Sequence, residues 1–218
     1  MFLGHFGVAF AAKSAAPAIS LGMLFVAAQF ADLLWPILVL AGVERVEIHP
    51  GITAVTPLDF IHYPYSHSLV ALVAWGVALG FGYRIVRDGG WRAFWVIAAL
   101  VVSHWVLDVL VHRPDMPLSL GESTKVGLGI WNSVALSVAL ELAMFGGCVA
   151  IYARITRAVD RVGTWAFAGL TAFFLVIYAG AVFGPPPPSV QAVAWSGIGM
   201  WILVAWAYWV DKHRVARA

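Results

Sequence analysis

The chain has 218 residues, of which 62% are hydrophobic and 11% charged, where an ordinary soluble domain carries about 25% charged residues. That composition excludes a soluble globular fold, and a net charge of +2 spread evenly along the chain leaves no nucleic-acid surface. Cys148 is the single cysteine, which excludes an internal disulfide or a thiolate metal site and reads as a small core residue.

The opening dozen residues are too short to cross a bilayer and lack the basic n-region of a signal peptide, so the chain is read as mature from residue 1. Pro17 closes this stretch, which is expected to be a short helix packed inside the bundle or lying partly in the interface. Residues 18 to 42, 67 to 86, 92 to 112, 130 to 153, 163 to 183 and 190 to 210 are each long and apolar enough for a span or most of one. Pro36 is expected to end or kink the first, and Gly89-Gly90 and Pro185 to Pro188 to form turns. The fold class is therefore all-α, a polytopic transmembrane bundle of about six spans plus a short N-terminal helix. It forms one integral membrane domain, residues 1–218, with the polar clusters in 1–118 and further spans in 119–218.

Loop charge orients the bundle. Arg84, Arg87 and Arg92, then Arg154, Arg157 and Arg161, then Lys212, Arg214 and Arg217 fall on one side if the spans alternate, and Lys and Arg near span ends stay cytoplasmic. The C-terminus is accordingly expected in the cytoplasm, with the longer loops 43 to 66 and 113 to 129 on the outer face.

Ionisable groups inside a membrane are costly and hence functional candidates, and Asp32, Asp108 and Glu141 qualify. His104 and Asp108 stand four apart on a predicted helix, so both project from one face, with His112 continuing the stripe. Imidazole and carboxylate together are ligands for zinc or a similar divalent ion; a buried His–Asp hydrogen bond between helices is the competing reading. His62 and His67 flank a loop running into a span, where Ser66 is placed to cap the helix. Asp32 would need protonation or a cation, and a metal held by His104, Asp108 and His67 would stabilise its charge, with His5 a further ligand. Glu141 shares a helix face with Ser133 and Ser137 and reads either as a group orienting a ligand His or as a protonated Glu bonded between helices. His112, Arg113 and Asp115 sit at the membrane surface, and His49 reads as a solvated loop histidine.

In order, Gly4-His5, Asp32 followed by Pro36, His62 with Ser66-His67-Ser68, and Ser103-His104 with Asp108 resemble the YdjM-like family of bacterial inner-membrane proteins over roughly the first half of the chain. The resemblance implies a membrane-bound, metal-dependent hydrolase, distantly similar to zinc-dependent phospholipase C and P1-type nucleases. Leu34 stands where the family usually has a second acidic residue and Tyr63 where it often has Arg, which argues against a multinuclear site and leaves a mononuclear one. The expected function is hydrolysis of a phosphoester or lipid-linked substrate at the outer face of the inner membrane. His5, Asp32, His67, His104 and Asp108 would hold the metal, zinc for preference, and His62 and Glu141 would assist catalysis. The alternative is a proton- or cation-coupled transporter using Asp32, Asp108 and Glu141.

Overall fold

The computed structural model describes residues 1–87, 89–121 and 124–217, and it is nearly all helical. The long apolar runs become α5 (Leu69–Arg87), α6 (Gly90–Val111), α7 (Val134–Ile155) and α8 (Arg161–Phe183), followed by α9 (Val190–Gly199) and α10 (Trp201–Lys212). The last two read as one stretch, Val190–Lys212, so that five helices among the described residues are long and apolar enough to cross a membrane. A sixth span arises if α2 (Leu21–Ala28) and α3 (Phe30–Leu40) are counted together across a 58° bend.

That bend falls at Gln29, whose backbone leaves helical geometry (φ −100°, ψ 12°), and not at Pro36, which sits inside α3. Proline removes the N–H that would bond the carbonyl of Asp32 and crowds that carbonyl, yet α3 continues through it. The Pro36 ring instead lies against α9, where a Cβ at Gly197 would meet it at 3.0 Å.

The N-terminal helix, α1 (Leu3–Ala15), is packed inside the bundle. Leu3, Phe6, Ala9 and Phe10 are completely buried, and Gly7 lets α1 approach α7 so closely that a Cβ there would lie 3.3 Å from the Phe145 Cα. Phe6, Phe10, Phe25, Phe145 and Phe174 form the aromatic centre of the core, with Phe6 and Phe174 at 4.3 Å. At the far end of α1 the buried Lys13 ammonium is satisfied by Asp211 Oδ1 at 2.7 Å and the Ile19 carbonyl at 2.8 Å. Pro17 lies just beyond the end of this helix, as the sequence implies.

Segments read as loops contain short strands. β1 (Arg45–Ile48) and β2 (Leu58–His62) pair antiparallel, Val46 opposite Phe60, with a bulge after Arg45. A one-turn helix, α4 (Pro64–His67), then leads into α5. Ser68 rather than Ser66 caps α5, accepting the Ala71 N–H at 3.1 Å. Trp35, Phe60, Tyr63 and Met116 pack the hairpin onto the bundle as a second, smaller core. β3 (Met116–Pro117) pairs with β4 (Lys125–Val126), and the residues after β4 finish the end of α6: Leu128 and Gly129 donate N–H bonds of 2.7 Å to the carbonyls of Val109 and His112. Only glycine fits at 127, because a Cβ would lie 2.1 Å from the Arg113 carbonyl oxygen. At the opposite end, β5 (Thr156–Ala158) pairs with β6 (Arg214–Ala216), tying two of the basic segments together.

α5 and α6 pack through small residues, which let two apolar helices approach closely. A Cβ at Gly76 would lie 2.9 Å from the Ala98 carbonyl oxygen, whereas Gly82 on the same helix faces open space. Gly76→Val is expected to destabilise the protein by about 1–3 kcal/mol while Gly82→Ala leaves it unchanged, measured as thermal unfolding in detergent.

Candidate metal centre

Four elements deliver five side chains to one place. His5 comes from the first turns of α1, Asp32 from the first turn of α3, His67 from the end of α4, and His104 and Asp108 from adjacent turns of α6. The groups His5, His104, Asp108 and Asp32, His67, His104 each bring their donor atoms within 4.8 Å of one another, close enough to hold a metal ion. Asp108 Oδ1 lies 3.0 Å from His5 Nε2, and Asp108 Oδ2 lies 3.1 Å from His104 Nε2. Asp32 Oδ1 lies 3.4 Å from His67 Nε2 and 3.7 Å from His104 Nε2. Separations of 3.1 to 3.7 Å are ones that two metal–ligand bonds of about 2.1 Å can bridge. The rings of His5 and His104 stack at 3.6 Å, and the Met1 amino group also contacts Asp108.

Groups behind the histidines fix which nitrogen faces the centre. His104 Nδ1 donates to the Ala28 carbonyl at 2.8 Å, the last residue before the α2–α3 bend, which leaves the Nε2 lone pair directed at the two aspartates. His67 Nδ1 is 2.7 Å from Ser66 Oγ, which donates to Glu44 Oε2 at 2.6 Å, so this imidazole too presents a bare Nε2. The other oxygen of Glu44 accepts the N–H groups of Tyr65 at 2.8 Å and Ser66 at 2.9 Å. Glu44 is buried, and nothing in the sequence marked it: a Glu beside an Arg in a polar segment looks like solvated loop. Its only available signal was proximity to the His62–His67 segment, which needs the β1–β2 pairing to become visible.

The donor set fits a divalent cation. Two carboxylates among neutral imidazoles leave the group net negative even with the Met1 amino group against Asp108, and burial makes that costly. His104 Nε2 and His5 Nδ1 are both buried without a hydrogen-bond partner. Oxygen and imidazole donors without thiolate suit zinc and several other transition ions.

Asp32 is the exposed edge of the cluster: its side chain is 24% accessible, against 3% or less for His67, His104 and Asp108. It faces a cavity of about 590 Å³ that also reaches His67, Asp108, His112 and Glu141. Glu141 accepts the backbone N–H groups of Phe2 and Gly4, each at 3.0 Å, and so anchors the positive end of α1, the helix that carries His5. His62 lies apart from the buried group, exposed at the end of β2 with its ring 6.2 Å from that of Tyr65. His112 caps the end of α6 and packs against Trp131 with tilted rings, centroids 4.2 Å apart. Burial pushes its imidazole below the usual range, so it is neutral near pH 7 and donates to Asp115 Oδ1 at 2.9 Å. Burial alone would raise Asp115, but the bonds from His112 and Arg113 outweigh it and hold the carboxyl low. His49 is exposed and pairs with Glu47 at 3.0 Å.

No protein-family model, curated protein or solved structure matches the chain. The fold and the site together define a helical protein with membrane-length helices around a buried histidine–aspartate cluster.

Removing an outer-shell partner of a ligand histidine typically costs 10- to 100-fold in metal affinity. Glu44→Gln and Ser66→Ala are each expected to weaken metal binding by about that range, measured by competition with a chelator, while Glu47→Gln, on the exposed face, leaves it unchanged.

Proposed function

We propose that the protein is a membrane-embedded, metal-dependent hydrolase in which His5, Asp32, His67, His104 and Asp108 hold a divalent ion, zinc for preference. Its substrate is a phosphoester, at the outer face of the bacterial inner membrane, with the C-terminus cytoplasmic. The carrying observation is the pair His67 and His104, each with Nδ1 fixed from outside the cluster and Nε2 turned toward the same two carboxylates. The resemblance to YdjM-like proteins rests on these same residues, and the gathering of basic side chains at the β5–β6 end supports the orientation.

When bound, the ion supplies Lewis acidity, polarising the bond under attack and making water acidic enough to act near neutral pH. The chain's own groups do the rest. Ala28, Ser66 and Glu44 hold two imidazoles in one tautomer, and Glu141 holds α1 and with it His5. Trp35, Phe60 and Trp131 line the cavity and keep bulk water from the buried side of the cluster. Asp32, at the accessible edge, is the group a substrate meets first. In the reaction water adds across the P–O bond, its hydroxyl going to phosphorus and its proton to the departing alcohol oxygen. Glu141 acts by positioning, and His62, on the outside, is left for a substrate's approach. The transport reading would need free carboxylates, whereas Glu141 is committed to backbone N–H groups and Asp108 to His5 Nε2 and the Met1 amino group.

Purified wild-type protein is expected to carry about one divalent ion per chain, and His104→Ala is expected to lose both the ion and phosphoesterase activity. Elemental analysis beside an activity assay checks this; stoichiometric metal in the His104 variant contradicts it.

A further inference from the structure

The cavity beside the cluster joins Asp32, His67 and Asp108 to walls that are mainly apolar, with Thr56, Tyr178 and Ser196 as scattered polar members. Ile177 and Tyr178 of α8 and Val193 and Leu203 of α9 and α10 supply part of those walls. Val55, Leu58 and Phe60, from the hairpin β1–β2 and its connection, line its outer part. Two lining residues also belong to the outer surface of the bundle: Phe173 is 42% and Ile202 67% exposed. Both lie near the middle of their membrane-length stretches, Arg161–Phe183 and Val190–Lys212. At that level the cavity is bordered by side chains of the bundle's outer surface, which faces hydrocarbon where these stretches cross a membrane. His104 lies seven residues before the end of α6, about 10 Å along the helix, so the cluster sits nearer the outer face than these side chains do. A mainly apolar chamber of about 590 Å³ that reaches a few convergent polar groups is matched by an amphiphile.

We propose that this cavity holds the aliphatic chain of a membrane lipid whose phosphoester head lies against Asp32, His67 and Asp108, so that substrate reaches the centre sideways from the bilayer. This rests on the hydrolase reading and gives it a substrate class. A water-soluble phosphoester would leave the apolar walls without an occupant.

The probe is hexadecyl phosphate bearing a diazirine at the chain terminus, photolysed with the full-length protein in lipid nanodiscs. Crosslinks are expected on Tyr178 and Leu203, which are buried and line the cavity. Unlabelled hexadecyl phosphate at about ten times its Kd should reduce them about tenfold, and butyl phosphate should not. Crosslinks on Ile85 and Val86, which face outward from α5, are insensitive to either competitor. Ile177→Trp, which fills the chamber, should remove the Tyr178 and Leu203 crosslinks; the competition in wild-type protein tests the same point if that variant fails to fold. Absence of those crosslinks in wild type, or equal competition by butyl phosphate, overturns the chain site. Persistence of the crosslinks in His104→Ala supports the chain site independently of metal, whereas metal content and activity without them sustain the hydrolase reading and sink this one.

Discussion

Two aspartates inside an apolar bundle, Asp108 buried and Asp32 at a cavity edge, set the terms for everything around them. Asp32 and Asp108 cannot be left charged and unpaired at that depth, and the structure answers with imidazoles on three sides, from α1, α4 and α6. The requirement reaches far along the chain. α1 is drawn into the bundle so that His5 can contact Asp108, the α2–α3 bend sets a carbonyl against His104, and the loop before α5 is ordered by a buried glutamate.

Charge compensation by histidine alone is incomplete, because neutral imidazoles do not cancel two carboxylates. The hydrogen bonds to Nδ1 of His67 and His104 hold both rings in the tautomer that accepts at Nε2, a form suited to a cation and poorly suited to donating toward the aspartates. Glu141 belongs to the same economy of charge from a distance: by accepting the first N–H groups of α1 it makes the buried start of that helix tolerable. The protein thus separates two kinds of buried carboxylate. One kind is turned to imidazoles at the cavity edge and the other is spent on backbone.

What the sequence reveals follows from contrast. In long apolar runs a single Asp or His stands out, and the HxxxD spacing on α6 needs only helical geometry to bring His104 and Asp108 onto one face. The spans of α5 to α8 were legible for the same reason. The β1–β2 pair was not, because its strands are short and joined by nine residues of mixed composition, and the pairing depends on Trp35 and Tyr63 packing from distant elements. Glu44 was hidden in polar surroundings. The bend at Gln29 was masked by Pro36, the stronger local signal, whose ring found room against Gly197 without breaking α3. Ser66 looked like a cap, but its hydroxyl serves Glu44 and His67, and Ser68 does the capping.

The central claim is that the histidine–aspartate cluster is a metal centre built from nitrogen and oxygen donors alone. X-ray absorption at the metal edge of the purified wild-type protein tests it most directly. The expected spectrum has a first shell at about 2.0–2.2 Å, outer-shell scattering from imidazole rings, and no sulfur contribution. A protein that binds no ion stoichiometrically, or whose ion shows sulfur in its first shell, would contradict the account.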